Sequence, residues 1–243
     1  MENLFLNHLE KNFPSISVSK LIIAVSGGVD SIVLFHLCLK LKLNFFVAHC
    51  NFKLREKESD LDEKFVRDLA IKHNIKFYTK SFNTKKLSNN DNKSIQMVAR
   101  ELRYSWFEEL SKELNVKHIL TAHHLDDSLE TFLINLSRGS GIDGLLGIPK
   151  VNDTVFRPLL IFKKDEILSY AKENKITWRE DSSNKKNEYL RNQIRLEVLP
   201  KLKEINPNLL ENFSKSIDRL QQSKSIIKDK MDDFVSDVSF TRD

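Results

Sequence analysis

Short apolar runs alternate with longer segments of helical periodicity through the N-terminal half, and this alternation constrains the fold more than any other feature. The runs occupy residues 21–25, 45–49, 75–79 and 118–122. Their length and composition are typical of strands that are buried on both faces. Because consecutive strands separated by helices usually run in the same direction, the pattern predicts a parallel sheet.

The segments between the runs repeat apolar residues every three to four positions, as do helices that pack on a sheet. They span residues 31–41, 58–72, 94–114 and 126–137. The sequence therefore predicts an α/β domain with a doubly wound parallel sheet. Ligands of such sheets bind outside the carboxyl ends of the strands, which here means the segments that start at Ser26, His49 and Ala122.

From Phe162 onward the pattern is helical and polar, and Pro200 and Pro207 bracket a short segment before the last helix. Since proline interrupts a helix, we expect a boundary near residue 200. The expected division is a first domain over residues 1–200 and a helical linker, or the start of a C-terminal region, over residues 201–243.

Charge and cysteine content limit the classes of function. The net charge is +5, from 39 basic and 34 acidic residues spread along the chain, which fits a polyanionic partner without identifying one. Cys38 and Cys50 form no Cys-x-x-Cys pair, so a disulfide scaffold and a structural zinc finger are not expected. No apolar run approaches the roughly 18 residues that span a bilayer. We expect a soluble cytoplasmic protein without a membrane partner.

The six glycines fall into two clusters, and the first of them indicates a phosphate site. In the sequence AVSGGVDS a predicted strand ends at Val25, Gly27 and Gly28 make the turn, and Asp30 can cap the following helix. Several backbone N–H groups would then point at one spot, which suits a phosphate group. The alternative interpretation is an ordinary turn between a strand and a helix.

The second cluster, RGSGIDG at residues 138–144, contains the Gly-x-Gly-x-x-Gly pattern of dinucleotide-binding proteins. It follows a helical segment, whereas the dinucleotide motif follows a strand. We therefore interpret it as a glycine loop beside the active site. A Walker A motif, with lysine after the last glycine, is absent from the sequence.

The segment SGGVDS at residues 26–31 resembles the PP-loop of the N-type ATP pyrophosphatases. Further segments narrow the resemblance: AHCNFKLR at 48–55, ARELRY at 99–104, TAHHLDDSLET at 121–131, RGSGIDGLLG at 138–147, RPLL at 157–160, and EDSSN and RNQIR between 180 and 195. Together, from about Lys20 to Pro200, they resemble the tRNA(Ile)-lysidine synthetases. The resemblance implies an adenine nucleotide alpha hydrolase-like fold.

The resemblance also implies an activity. These enzymes are ligases that use ATP and magnesium to attach lysine to C2 of the wobble cytidine in a CAU anticodon, through an adenylated cytidine, with release of pyrophosphate and AMP. The implied partners are tRNA(Ile) with a CAU anticodon and free L-lysine. A homodimer with a second copy of the chain is also expected. Family members usually carry a C-terminal tRNA-binding region, most of which we expect to be absent from this chain.

Candidate site residues follow from the motifs. We assign ATP binding to Ser26, Gly27, Gly28, Val29, Asp30, Ser31, His49 and Arg100. Asp30, Asp127 and Glu130 are the expected catalytic carboxylates, and magnesium is expected to contact Asp30 or Asp127. The spacing of Asp127 and Glu130 places both on one helix face, where they would hold the lysine ammonium and relay its proton. The alternative is an acidic first turn that complements the helix dipole.

Three arginines are candidate tRNA contacts: Arg103, Arg191 and Arg195. The alternatives are a solvated basic face for Arg103, and ion pairs with Glu188 and Glu197 for the other two.

Two other functions remain open at this point. A thiolase of the same superfamily would share the adenylation step but predicts paired active-site cysteines, which are absent here. A sensor that binds ATP without chemistry would need the loop but not the Asp127 and Glu130 pair.

Overall fold

A computed structural model describes residues 1–55, 57–84, 94–180 and 190–239, with side chains up to residue 235. The EDSSN segment lies outside this part of the chain except for Glu180. The stretch at 84–93, whose Lys/Asn-rich composition predicts a mobile loop, lies outside it except for Thr84.

The protein forms two compact units. The first contains Met1–His124 and Lys150–Ser182, and the second contains Leu125–Pro149 and Ser183–Asp243. The expected boundary near residue 200 stays a prediction.

The strands are β1 (Leu21–Ala24), β2 (Phe45–Asn51), β3 (Phe77–Ser81), β4 (His118–Leu120), β5 (Val151–Asn152) and β6 (Val155–Phe156). The helices are α1 (Glu2–Asn12), α2 (Val29–Lys40), α3 (Lys57–Lys72), α4 (Ile95–Leu114), α5 (Leu125–Ser137), α6 (Ile142–Leu145), α7 (Lys164–Glu173), α8 (Leu190–Gln193), α9 (Leu199–Ile205) and α10 (Leu209–Ser239). Short 3-10 helices span Pro14–Val18 and Pro158–Ile161, and a π-helical segment spans Ile194–Val198.

The first unit contains one sheet with the strand order β3-β2-β1-β4-β6-β5. The strands β3, β2, β1, β4 and β6 are parallel, and β5 pairs antiparallel with β6. The predicted parallel sheet is therefore confirmed. The chain moves outward from β1 to β3 and then returns to the other side of β1 at β4, so the segments that follow β1 and β4 leave the sheet side by side. This point of reversal is where such sheets bind ligands.

The core of the first unit covers both faces of β1. Leu21, Ile22 and Ile23 have no exposed surface. Ile23 packs in a cluster with Phe35, while Ile22 faces a second cluster that contains Trp106. Burial on both faces explains why β1 is a continuous apolar run rather than an alternating one.

The second unit is helical. Leu125 and Leu129 of α5 pack with Ile194, Leu210 and Phe213 in a separate apolar cluster. The glycine loop at residues 138–144 directly follows α5, which confirms the expectation that a helix and not a strand precedes it. Among the described helices, none combines the length and the apolar character needed to cross a membrane.

We expect Gly147→Ala to destabilise the second unit more than Gly139→Ala. Both glycines have positive φ, +69° and +71°, and a residue with a Cβ pays about 1 kcal/mol for this conformation. At Gly147 the Cβ would also lie 2.5 Å from Ser128 Oγ, whereas at Gly139 it meets no atom within 4 Å. Ser128 Oγ accepts the Ile148 N–H at 3.2 Å and cannot turn away without losing that bond. Steric overlap raises the expected cost at Gly147 to about 3 kcal/mol.

The free energy of unfolding from urea denaturation, followed by the helical signal, measures both costs. Equal losses in the two variants would show that the contact with Ser128 adds nothing.

Candidate nucleotide site and acidic cluster

The loop between β1 and α2 has the geometry of an anion site. Gly27 has φ +99°, a conformation that favours glycine, and Gly28 is the N-cap of α2. Ser31 Oγ donates to the Gly28 carbonyl at 2.9 Å and accepts the Ser26 N–H at 3.1 Å. The Gly28 N–H makes a long, exposed hydrogen bond of 3.4 Å to Ser26 Oγ. The loop is thus organised from within, and it presents N–H and hydroxyl groups at a helix N-terminus.

Asp30 is paired rather than capping. We expected it to cap α2, and this is wrong, because the helix begins at Val29 and Asp30 lies in its first turn without a side-chain cap. Its Oδ1 accepts a hydrogen bond from Lys164 Nζ at 2.5 Å, and His124 Nε2 lies 3.8 Å from the same oxygen. His124 follows β4, so the two sides of the sheet reversal meet at this carboxylate.

Lys164 was not predicted as a site residue, although its position in the sequence carries a signal. Lys164 is the first residue of α7, where the helix dipole disfavours a positive charge. A lysine at this position therefore indicates an acidic partner elsewhere, and Asp30 is that partner.

His49 supports the strand end that leads into the loop. Its ring is buried, and Nδ1 lies 2.8 Å from the Val25 carbonyl. Because a carbonyl only accepts, the proton must be on Nδ1, and Nε2 is left as an acceptor. Burial lowers the pKa of His49 and favours the neutral ring. The expected place of His49, near the loop, agrees with this contact, and its contact with ATP stays a prediction.

Three further residues that the sequence analysis did not single out lie beside the loop. The backbone N–H of Arg179 donates to the Gly27 carbonyl at 3.0 Å. Arg179 Nε and Arg55 Nη2 both donate to the carboxylate of Asp62, a buried residue of α3. Arg55 lies in the AHCNFKLR segment, 7 positions before Asp62. Arg179 lies 117 positions after Asp62, and nothing in the local sequence links the two.

The arginines of α4 stack on aromatic rings. Arg100 is exposed, with its guanidinium carbon 4.9 Å from the centre of the Tyr104 ring, and Arg103 lies 5.3 Å from the centre of the Phe52 ring. These are cation–π contacts, which attract each guanidinium to the ring face. Their roles toward ATP and tRNA stay predictions.

The donors present fit a magnesium ion that arrives with the nucleotide. Within the described residues no group of three or more His, Cys, Asp or Glu side chains is placed to hold a metal by itself. Mg²⁺ in phosphate sites usually takes one or two protein carboxylates, and its other ligands are phosphate oxygens and water. Asp30, which is partly exposed in the loop, can supply one such ligand.

The second unit contains an acidic cluster on α5. Glu130 is almost fully buried, and burial raises its pKa above the usual value. Arg195 Nε and Nη2 donate to its two oxygens at 2.6 and 2.8 Å, and Nη2 also donates to Asp127 Oδ1 at 2.9 Å. The predicted placement of Asp127 and Glu130 on one helix face is confirmed, because both contact one guanidinium.

Two further basic residues of the second unit contact α5. Arg191 donates to Thr131 Oγ1 and lies 3.5 Å from Glu130 Oε2. Lys203 Nζ donates to Asp126 Oδ1 at 2.6 Å. Of the ion-pair partners that the sequence suggested for the arginines, Glu188 lies outside the described residues. The pairing with α5 was not expected from the sequence.

Comparisons with known proteins identify the domain. A family model described as a PP-loop domain matches residues 1–202. A tRNA(Ile)-lysidine synthase of Bacteroides thetaiotaomicron is 40% identical over 228 residues, which are 94% of this chain and 54% of that protein. Another tRNA(Ile)-lysidine synthase, of Chlorobaculum tepidum, is 42% identical over 207 residues, which are 84% of this chain and 62% of that protein. The chain thus spans roughly half the length of the curated relatives it matches.

Two solved structures share the fold at low sequence identity. The U34-tRNA thiolase NcsA from Methanococcus maripaludis, solved with its 4Fe–4S cluster, has a TM-score of 0.69 and 16% identity over 90% of this chain and 80% of that one. An NMN synthetase from Francisella tularensis has a TM-score of 0.52 and 16% identity over 72% and 70% of the two chains. The loop geometry agrees with the family match, and the chain belongs to the family of ATP-binding PP-loop domains.

Proposed function

We propose that this chain is the catalytic part of an enzyme that ligates lysine to C2 of the wobble cytidine in the CAU anticodon of tRNA(Ile). The observation that carries the proposal is the 40–42% identity to tRNA(Ile)-lysidine synthases over most of the chain. The phosphate loop and the acidic cluster supply the chemistry that such a reaction needs. Residues 1–200 would form the catalytic domain and residues 201–243 a linker, in the cytoplasm where tRNA is modified.

The first step is adenylation of the base. The C2 carbonyl oxygen of cytidine attacks the α-phosphorus of ATP, the α–β phosphoanhydride bond breaks, and pyrophosphate leaves. The N–H groups of the Ser26–Ser31 loop and the α2 N-terminus would stabilise the charge that builds on the leaving phosphates. Asp30 would hold a magnesium ion at this site, and such an ion would supply positive charge against the leaving phosphates.

The second step needs a neutral lysine amine. With a pKa of about 10.4, roughly one ε-amine in 2,500 is unprotonated at pH 7, a handicap of about 4.6 kcal/mol. We propose that Asp127 and Glu130 bind the ammonium and accept its proton. The amine then attacks C2, the bond from C2 to the adenylyl oxygen breaks, and AMP leaves.

The pairing in the second unit supports this assignment. Asp127 and Glu130 converge on one cation, the guanidinium of Arg195. Burial raises the pKa of Glu130, which makes this carboxylate a better proton acceptor than an exposed one. Arg195 would share the two carboxylates with the incoming ammonium, and Arg103 and Arg191 remain candidate tRNA contacts. A homodimer stays part of the proposal.

A tRNA thiolase is the first alternative. The two cysteines of the chain do not favour it, since burial raises the pKa of Cys38 well above its usual range and that of Cys50 to about 12. Neither side chain would be a thiolate at neutral pH, and the thiolate is the reactive form. A pair of cysteines is also too few for the Cys ligation typical of iron–sulfur clusters.

Pyrophosphate release tests the proposal directly. We expect release that requires both ATP and a CAU-anticodon tRNA(Ile) transcript, with labelled lysine transferred to the RNA. A transcript whose anticodon is changed to GAU is the control and should give neither product. Transfer of sulfur instead of lysine would favour the thiolase, and ATP binding without turnover on any tRNA would favour the sensor.

Ser31→Ala should slow pyrophosphate release. The hydroxyl links the Ser26 N–H to the Gly28 carbonyl, and without it the donors of the loop lose their fixed directions. Loss of an organised donor at such a site costs about 100-fold in rate. The matched control is Ser137→Ala, which removes a hydroxyl bound to the Ile134 carbonyl at the end of α5. A rate within twofold of wild type for Ser31→Ala would refute this role of the loop.

Asp127→Asn and Glu130→Gln should separate the two steps. We expect tRNA-dependent release of pyrophosphate to persist in a single turnover while lysine transfer falls about 100-fold, since general-base help is lost. Asp233→Asn is the control, because Asp233 is an exposed carboxylate of the same unit paired with Lys230. If both variants lost adenylation and lysine transfer to the same degree, the carboxylates would not act on the amine.

A further inference from the structure

Asp62 joins three segments of the first unit beside the phosphate loop. Its side chain is 11% exposed, and each of its oxygens has a different arginine partner. Oδ1 accepts from Arg179 Nε, and Oδ2 accepts from Arg55 Nη2 at 2.8 Å. Because both oxygens are used, the carboxylate cannot rotate without breaking a charged hydrogen bond.

Arg179 connects this carboxylate to the loop backbone. While its side chain binds Asp62, its own N–H donates to the Gly27 carbonyl at 3.0 Å. The loop also rests against α3, since a Cβ on Gly27 would lie 3.6 Å from Val66 and 3.9 Å from the Cβ of Asp62. Gly27 is therefore held by α3 on one side and by Arg179 at its carbonyl.

The planarity of the peptide bond turns this anchor into a directional constraint. In a trans peptide the carbonyl of one residue and the N–H of the next point in opposite directions. The bond between Gly27 and Gly28 is trans. A Gly27 carbonyl fixed toward Arg179 therefore directs the Gly28 N–H away from Arg179, to the exposed side of the loop where Ser26 Oγ lies.

We propose that Asp62 and Arg179 are positioning residues that fix the Gly27–Gly28 peptide plane, so that the Gly28 N–H is aimed at a nucleotide phosphate before the nucleotide binds. Neither side chain needs to touch ATP, because the effect passes through the Arg179 backbone. The inference rests on the proposed binding of ATP at this loop, and it adds residues that lie outside the loop motif.

An ion pair that only stabilises the fold would behave differently. Its loss would weaken the binding of every ligand of the domain, or of none. A loss of phosphate positioning instead weakens the binding of ligands that have phosphates and leaves the binding of adenosine, which has none, unchanged. The ratio of the dissociation constants of ATP and adenosine therefore separates the two roles.

Calorimetric titration of ATP and of adenosine, without tRNA, measures this ratio. In Asp62→Asn the uncharged amide can accept from only one of the two arginines. In Arg179→Ala the side chain that ties the residue 179 backbone to Asp62 is lost, while the backbone N–H itself stays. We expect each variant to weaken ATP binding about 10-fold, an effect of the size typical of a hydrogen bond to a charged group, and adenosine binding less than about twofold. Asp60→Asn is the matched control, an exposed carboxylate of the same helix paired with Lys53.

The double variant completes the test. If Asp62 acts through Arg179, the double variant should weaken ATP binding about 10-fold, as each single variant does, because the effects of coupled residues are not additive. Losses that multiply to about 100-fold, or equal losses for ATP and adenosine, would overturn the inference. If Asp62→Asn does not fold, Arg179→Ala alone carries the comparison of the two ligands.

The outcome also distinguishes this inference from the proposed function. A wild-type chain that binds adenosine and ATP equally would refute phosphate binding by the loop, and this inference with it. A wild-type preference for ATP that survives in Asp62→Asn and Arg179→Ala would refute the positioning role alone.

Discussion

The burial of β1 on both faces is the constraint on which the nucleotide site depends. Ile22 and Ile23 point to opposite faces of the sheet and have no exposed surface, so the strand that leads into the phosphate loop cannot shift without opening both halves of the core. β4 pairs directly with β1, at Ile23 and Leu120 among others. That fixed register brings His124, just after β4, to the carboxylate of Asp30, just after β1.

The parts of this arrangement that are local in sequence could be predicted from it. The four longer parallel strands follow from their apolar runs, and the loop follows from two glycines between a strand and a helix. The short strands β5 and β6 were missed because two residues carry no periodicity. Arg179 was missed because its role comes from a contact across more than a hundred positions, which no local pattern encodes. Lys164 has the local signal of a lysine at a helix N-terminus, but that signal does not say which carboxylate is its partner. Asp30 was expected to cap α2, but it lies two positions after the N-cap residue, Gly28.

The acidic cluster shows a different limit of sequence analysis. Arg191 and Arg195 were interpreted as groups that face a nucleic acid, yet their contacts in the structure are with α5. A carboxylate buried as fully as Glu130 is costly without a cationic partner. The first requirement on these arginines is therefore to compensate a buried charge of their own unit. Such a role depends on burial, and burial is known only once the packing of the helices is known.

The hydrogen bond between His49 and the Val25 carbonyl has a consequence for the conditions under which the loop keeps its shape. Since burial lowers the pKa of the ring, the neutral form with its proton on Nδ1 is favoured. The contact just after β1 is thus made by an uncharged donor. A histidine, the side chain most often used to sense acidity, here serves as a neutral hydrogen-bond donor that ties the neighbouring strand to the start of the phosphate loop.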